Sequence, residues 1–567
     1  MRAEADVAGV PRTRPESPPH RPVQPPRRRL RLDGFEIAVL AVFGGVSVWV
    51  LGLDLFQVIA HGRVWTGTDG VYLVDQMQYL SWIQSASDHV LSANLFVLHP
   101  TSPDYYQPAI TISAGLTSIG VAPWVALLLW KPVAVVVAFL GFRSYVRRTV
   151  DGLWPRRAAL VLAVFFGSFT IVEGSFGAVG DLFAGFLSWG YTFGLLAVGL
   201  MVLALIAYER ARARESMRFA WAAALLGAAA AALHPWQGEL LVLIVFGSEL
   251  AVWLRTRRRP PLALPVLTIA VTAFPLVYLF LLGRLDGSWQ LARVASKHSF
   301  SFWTIALALA PLLIASIPAW RRWPGSFLGS VTRVWPLAAV ATFVLSATSL
   351  SATPLHSFEG ITLPLSVLAV EGVRRAGFDR LPHRKLIGFA AVAAFTIPAT
   401  YWELRNAQQL VAPSPGNANF IAKGESDALR YLARDRQSGG VLTRFYLGAI
   451  VPAQTGRRTF VGDCLWSEPG CSWRAQLSQE LLDGTIPADE TRQLVKRIGA
   501  RFVLADCTAP PALGRELAPI SSQVRRFGCA TVYRIRSPGS PEGALAESPP
   551  NAALRSPGRD QRRVQPG

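Results

Sequence analysis

Residues 122–157 read APWVALLLWKPVAVVVAFLGFRSYVRRTVDGLWPRR. The first 21 of these carry a single charge, Lys131, and the last 15 carry five arginines. An apolar stretch of ~20 residues is what an α-helix needs to cross the hydrocarbon core of a bilayer, so the arginines mark one end of a membrane span. The pattern recurs along the chain, with apolar runs at 35–55, 122–142, 158–172, 189–207, 219–233, 240–254, 261–282, 301–319, 334–350, 361–372 and 386–404. An α-helical polytopic membrane protein of about eleven spans is expected.

The segments between these runs fall into two alternating classes. The stretch before residue 35, with 143–157, 208–218, 255–260, 320–333 and 373–385, holds 29 Arg and Lys, whereas 56–108, 173–188, 234–239, 283–300 and 351–360 hold 4. Cytoplasmic loops carry the excess of cations. The N-terminus is therefore expected inside, and an odd number of spans sends the C-terminal region outside. Residues are 51% hydrophobic and 16% charged, with mean hydropathy +0.33, which excludes an ordinary soluble enzyme. The net charge of +20 sits mostly in the short loops and in Arg27, Arg28, Arg29 and Arg31. Anionic lipid headgroups account for it better than nucleic acid does, and no nucleic-acid partner is expected.

Beyond residue 404 the character changes. β-rich stretches (Gly440 to Phe445, Thr459 to Gly462, Arg501 to Ala505, Thr531 to Ile535) alternate with helical ones (Glu425 to Arg434, Trp473 to Leu482, Ala488 to Ile498), predicting a small exported α/β domain over 405–536. Residues 1–33 form a basic, Pro-rich arm and 537–567 a Pro/Gly/Ser/Arg tail, both expected to be disordered; the first run has no small-residue cleavage site behind it and reads as a retained anchor. The chain's four cysteines, Cys464, Cys471, Cys507 and Cys529, all lie in the exported segment. Three pairings are open. Cys464 with Cys471 would close the turn CLWSEPGC, and Cys507 with Cys529 would tie two strands together; four reduced cysteines are the alternative.

The first outer segment, 56–108, is long for a connector. Within QYLSWIQSASDHVL (78–91), Tyr79, Trp82, Ile83, Ala86 and Val90 recur at helical spacing, predicting an interfacial amphipathic helix, and Ala109 to Ile119 could form a second. Just ahead stands TDGVYLVDQMQYL (68–80), with Asp69 and Asp75. A carboxylate at the mouth of a bundle is placed to take a proton from an acceptor hydroxyl; the structural alternative for Asp75 is a helix N-cap.

A long first loop with an acidic motif, two surface helices, about eleven spans and an exported α/β domain resemble the GT-C superfamily of membrane glycosyltransferases. The bacterial relatives of dolichyl-phosphate-mannose protein mannosyltransferases and aminoarabinose transferases are the nearer likeness. ESDALRYLARDRQSGGVLTRFYLGAIVPAQTGRRTFVGDCLWS (425–467) and TRQLVKRIGARFVLAD (491–506) are similar to the C-terminal pattern of many such proteins. The resemblance implies inverting sugar transfer on the outer face of the plasma membrane. The donor would be a polyprenyl-phosphate sugar, the acceptor an envelope glycan, lipid or protein, and Asp75 the matching base. The family often has a second acid beside the base, and here that neighbour is Gln76, with Asp69 the nearest substitute.

Other outer polar residues complete the expected site. Lys131, a cation within an apolar run, is costly unless paired, which makes it a phosphate ligand or the partner of a carboxylate on a neighbouring span. His234 begins the cluster His234-Pro235-Trp236-Gln237-Gly238-Glu239, where Trp236, Gln237 and Glu239 suit sugar recognition. His356 and Glu359 form a sparser group, Glu173 and Asp181 could hold hydroxyls, Tyr79 faces the substrate, and Arg293 and Lys297 could meet a phosphate. No histidine pair has a metal-ligand spacing, so no metal ligands are assigned, and a divalent cation is the one cofactor to consider. The competing readings are a transporter or flippase, or a non-catalytic scaffold of envelope assembly.

Overall fold

The computed structural model describes residues 31–167, 180–257, 262–296, 301–346, 354–414 and 416–536. The helices of the apolar region are α1 (Gly34–Ser47), α2 (Trp49–His61), α3 (Leu73–His89), α4 (Pro108–Ser118), α5 (Pro123–Leu128), α6 (Trp130–Thr149), α7 (Leu153–Phe165), α8 (Ala184–Gly190) and α9 (Thr192–Arg214). They continue with α10 (Met217–Leu233), α11 (Pro235–Thr256), α12 (Ala263–Leu285), α13 (Gly287–Ala295), α14 (Phe302–Trp320), α15 (Phe327–Ser346), α16 (Thr362–Arg375) and α17 (Arg384–Leu410).

The described parts of the apolar runs lie largely on these helices, with 35–55, 122–142 and 189–207 each divided between two of them. Seven are long and apolar enough to cross a bilayer, with α5 and α6 counted as one, and α1 with α2, bent by 47°, make an eighth if taken together. Three of the eleven expected spans are shorter: α7 has 13 residues, α10 has 17 and α16 has 14. At 1.5 Å per residue these reach ~20–25 Å against a core of ~30 Å. α9 is the central helix, with 78% of its apolar window buried, whereas α12 and α17 bury 22% and 17%. Their outward residues, Phe274, Phe389 and Ile397 among them, are exposed and apolar, which suits lipid rather than water. Gly199 lets α9 lie against α6, since a Cβ there would fall 2.8 Å from the Ala138 backbone.

The Arg-rich end is tied by ion pairs. Glu36, in the first turn of α1, meets Arg143 at 2.9 Å and Arg147 at 2.6 Å, both on α6, and Arg333 meets Glu371 at 2.8 Å.

The opposite end carries the first loop and the C-terminal region. β1 (Val64–Trp65) pairs antiparallel with β2 (Phe420–Ile421), joining the first loop to the segment after α17. Asn419 reinforces the joint, accepting from Thr68 Oγ1 at 2.9 Å and donating to Asp54 at 2.7 Å. Beyond it come α18 (Lys423–Arg434), β3 (Val441–Leu442), α19 (Phe445–Thr455), α20 (Cys471–Asp483), α21 (Ala488–Ile498), β4 (Phe502–Ala505), α22 (Ala512–Leu517), β5 (Ser521–Phe527) and β6 (Ala530–Ile535). The sheet order is β3-β4-β6-β5, with β3 and β4 parallel and the other pairs antiparallel. The helical stretches read from the sequence appear with nearly those bounds. Thr459 to Gly462 contributes only a bridge from Thr459 to Val441, and Phe445 opens α19 instead of ending a strand. Cys464–Cys471 and Cys507–Cys529 are disulfides, with Cα–Cα distances of 5.1 and 4.7 Å.

The helix of the first loop differs from expectation in two ways. It starts at Leu73, with Tyr72 in the left-handed region as its N-cap, so Asp75 lies in the first turn rather than ahead of it and does not cap. It is also covered on both sides: Trp82, Ile83 and Ala86 are buried as the spacing predicts, but so are Gln76, Gln78, Ser81 and Ser85. The reason is that α19 packs on it from one side and α4 from the other. Val90, expected on the apolar face, ends the helix exposed with φ +70°.

Candidate functional site

The two aspartates of TDGVYLVDQ are separated by a bend and meet different partners. Asp69 is buried and ion-paired with Lys131 at 2.5 Å. The other two ammonium protons of Lys131 go to backbone carbonyls, Ser47 O at 3.1 Å and Ser188 O. All three donors of this lysine are thus engaged. Lys131 is therefore paired with a carboxylate, which comes from the first loop and not from a neighbouring span, and no ammonium proton is left for a lipid phosphate.

Gln76, which stands where the GT-C resemblance implies a second acid, ties the loop to α3. Its Oε1 accepts from Asp69 N at 2.9 Å, and its Nε2 donates to Val71 O at 2.7 Å and Trp189 O at 3.2 Å. Those three bonds present the first turn of α3, and Asp75 with it, to the bundle.

Asp75 is partly exposed and accepts from the Tyr191 hydroxyl at 2.8 Å. Burial raises its carboxyl above the ordinary range, and the tyrosine bond opposes that rise. Tyr191, at the break between α8 and α9, packs on Tyr72 with ring centroids 4.4 Å apart and on His356 edge-on at 5.3 Å. It links the acid of the first loop to a second group.

That second group combines the two outer clusters. His234 caps α11, and His356 and Glu359 lie in the turn before α16. Glu359 Oε1 is 2.7 Å from His356 Nδ1, and its Oε2 is 3.3 Å from His234 Nδ1. Gln237 hydrogen-bonds the His234 ring and donates to His356 O at 3.4 Å, while Trp236 packs 4.7 Å from His234 and 4.6 Å from His356. Gly194 on α9 makes room for this carboxylate, since a Cβ there would lie 2.9 Å from Glu359 Oε2. Burial lowers the His234 imidazole and raises Glu359 to about 7, with the His234 charge opposing the latter.

One donor atom from each of His234, His356 and Glu359 lies within 4.8 Å of the others, so the group could hold a metal ion. Two imidazoles and a carboxylate are a donor set that zinc accepts, with bonds of ~2.0–2.2 Å. Sequence spacing could not reveal it, because the two histidines are 122 positions apart.

Of the remaining expected residues, Tyr79 lies one turn beyond Asp75 on α3, against Phe193 at 5.1 Å and Trp82 at 5.8 Å. Glu239 is half-buried on α11 and Arg293 half-buried on α13, the latter 3.5 Å from where a Cβ of Gly283 would lie. Glu173, the side chain of Asp181 and Lys297 lie outside the described residues.

Sequence reasoning missed Tyr191 and Asp463. Tyr191 sits in an apolar run, SWGYTFG, where only the glycine before it hints at a break. Asp463, in FVGDCLWS, is buried in the C-terminal region, and the charge of Asp75 contributes to raising its carboxyl to about 8, after burial itself.

No protein-family model and no curated protein matches the chain. Solved structures do. The oligosaccharyltransferase of Archaeoglobus fulgidus in its apo form aligns with a TM-score of 0.51 at 13% identity, over 83% of this chain and 69% of that one. The same enzyme tethered to an acceptor peptide gives 0.50 at 12% identity, over 83% and 69%. ArnT from Cupriavidus metallidurans bound to undecaprenyl phosphate gives 0.48 at 14% identity, over 88% and 97%. Over most of its length, then, this chain has the fold of a solved membrane oligosaccharyltransferase, the architecture that the GT-C resemblance implies.

Proposed function

We propose that the protein is a membrane glycosyltransferase that moves a sugar from a polyprenyl-phosphate donor to an acceptor hydroxyl on the outer face of the plasma membrane. The observation that carries this reading is Asp75, partly exposed and held by Tyr191, whose ring also packs on the His234–His356–Glu359 group. One tyrosine thus bridges a proton acceptor and a group suited to phosphate.

Asp75 takes the proton of the acceptor hydroxyl as that oxygen attacks the anomeric carbon from the face opposite the phosphate. The carbon–oxygen bond to the phosphate breaks, its electron pair leaves with the polyprenyl phosphate, and the configuration inverts. Negative charge growing on the leaving phosphate is where fixed donors matter most. His234 and His356 supply them, Arg293 and Lys297 would add cations, and the lipid chain lies between spans. A divalent cation bound by His234, His356 and Glu359 would shield the same phosphate. Trp236, Gln237, Glu239 and Tyr79 offer ring faces and hydrogen bonds to the transferred sugar, as Glu173 and Asp181 would to hydroxyls. Lys131 and Asp69 act as internal scaffold, neutralising each other beneath the first loop.

The sidedness rests on the 29 against 4 distribution of cations and on the two disulfides in the C-terminal region, which form in oxidising surroundings. The test is transfer of label from polyprenyl-phosphate sugars in membranes carrying the wild-type chain or Asp75→Asn. Activity abolished by the substitution is the expected result; transfer by wild type that survives it intact removes the base assignment, and a wild type that transfers nothing favours a transporter or scaffold.

A further inference from the structure

The C-terminal region reaches the site through one short segment. Ser467 Oγ donates to Phe96 O at 3.0 Å, Asn94 donates to Trp466 O at 2.9 Å, and Thr459 N donates to Leu95 O at 2.9 Å, so 459–467 is pinned to the first loop. Within it the Asp463 carbonyl accepts from Trp466 N and Ser467 N at 3.1 and 2.7 Å, and Asp463 Oδ1 accepts from Leu465 N at 2.8 Å. Asp463 Oδ2 has no partner, although the residue is 1% exposed. Trp466, 5% exposed, likewise leaves its indole N–H without one.

Trp466, three residues from Asp463 and bonded to its carbonyl, belongs to a cluster of rings from three separate parts of the chain. Trp466 lies 5.3 Å from Trp82 and 4.6 Å from Trp289, and Tyr105 lies 4.5 Å from each of those two. Tyr105 and Trp289 keep part of their surface open. Beside them are two further carboxyls, Asp104 and Asp286, close enough that, after burial, Asp286 helps lift Asp104 to about 6. Aromatic faces flanked by a carboxyl, an indole N–H and paired acids match a pyranose, which has apolar C–H faces and a rim of hydroxyls. An isoprenoid chain would leave the polar atoms unpaired, at a cost.

We infer that Asp463 and Trp466, with the rings of Trp82, Tyr105 and Trp289, form the acceptor subsite, and that the acceptor is a carbohydrate whose reactive hydroxyl is held at Asp75. This rests on the glycosyltransferase reading above. Asp463 is then the second acid of the site, supplied from the C-terminal region where the chain has Gln76 beside the base. Its carboxyl hydrogen-bonds a hydroxyl next to the reacting one, while Asp75 alone takes the proton.

The test uses the purified full chain with polyprenyl-phosphate pyranoses as donors, and short alkyl pyranosides or a serine-containing peptide as acceptors. Wild type is expected to glycosylate a pyranoside and not the peptide. Asp463→Asn and Trp466→Phe are expected to raise the acceptor KM about 10-fold with the donor KM within about twofold. Acceptor-induced quenching of tryptophan fluorescence should shrink in Trp466→Phe. Should Asp463→Asn fail to fold, Trp466→Phe carries the comparison. Transfer to the peptide alone, or unchanged acceptor KM in the variants, overturns the inference while leaving the transferase reading in place. Quenching by pyranosides in a wild type that transfers from no donor does the reverse, and absence of both overturns both.

Discussion

Asp69 and Asp75 stand six residues apart in one string of sequence, yet one is sealed and the other is poised. Asp69 is buried, balanced by a lysine from α6 at 2.5 Å; Asp75 is partly open and has a neutral tyrosine hydroxyl at 2.8 Å. Both carboxyls are pushed up by burial. The difference lies in what opposes the push. A full positive charge opposes the push at Asp69, whereas a single neutral hydrogen bond opposes it at Asp75 and leaves that carboxylate able to take a proton. A carboxylate earns a chemical role by where its counter-charge is missing, not by its place in a motif.

The sharpest break in that contrast would come from Asp75→Asn, which is expected to lower transfer by about 10²–10⁴-fold while the protein still folds. The equivalent Asp69→Asn should leave turnover per folded molecule far closer to wild type, and steady-state transfer assays on equal amounts of folded protein compare the two. Second in size, His356→Ala is expected to cost about 10²-fold in kcat by removing a donor to the leaving phosphate, and Glu359→Gln a similar factor by loosening the two imidazoles that its carboxylate holds. Dialysis against a chelator, followed by zinc or manganese, asks whether those residues act through a metal: activity that is unaffected by the chelator but lost in the variants assigns the effect to the side chains themselves.

The third effect falls on stability. Lys131→Met leaves the Asp69 carboxylate buried without its partner, at about 3–5 kcal/mol, and Lys131→Met combined with Asp69→Asn should recover most of it. Thermal unfolding in detergent reads this out, and a single variant as stable as wild type would show that the pair is not sealed.

Two smaller effects concern pH. Because Tyr191 lowers the Asp75 carboxyl, Tyr191→Phe should move the acidic limb of the activity profile upward; an unmoved limb would mean that another group sets it. Asp463 lies at about 8 in the folded chain against 3.8, so the native state holds a proton that the unfolded one releases, and this contribution to stability falls as pH rises from ~4 through ~8. Asp463→Asn should therefore gain on wild type in melting temperature between pH 5 and pH 8. A constant difference would mean that this acid does not titrate between those pH values.

Part of this site was legible early. Asp75, His234, Gln237, His356 and Glu359 stood out because polar residues in short outer segments between apolar runs are conspicuous, and the structure brings the last four together. The partner of Lys131 stays open between a lipid phosphate and a carboxylate in the sequence, since a buried cation demands an anion without specifying which. Tyr191 was invisible because a tyrosine in an apolar run looks like packing. Asp463 was hidden for a different reason: the FVGDCLWS segment reads as a turn closed by a disulfide, and nothing local says that it faces α3.

By itself the sequence determined the apolar helices, the asymmetry of their ends, the segregation of cysteines and the acidic first loop, because these follow from hydropathy, charge and composition along the chain. Only the tertiary structure decided which aspartate is paired with a lysine, that two histidines 122 residues apart share one glutamate, and that Asp463 of the C-terminal region lies buried where the charge of Asp75 reaches it. Those outcomes depend on which charges burial brings within a few ångströms of each other, and a one-dimensional pattern carries no information about distances across a fold.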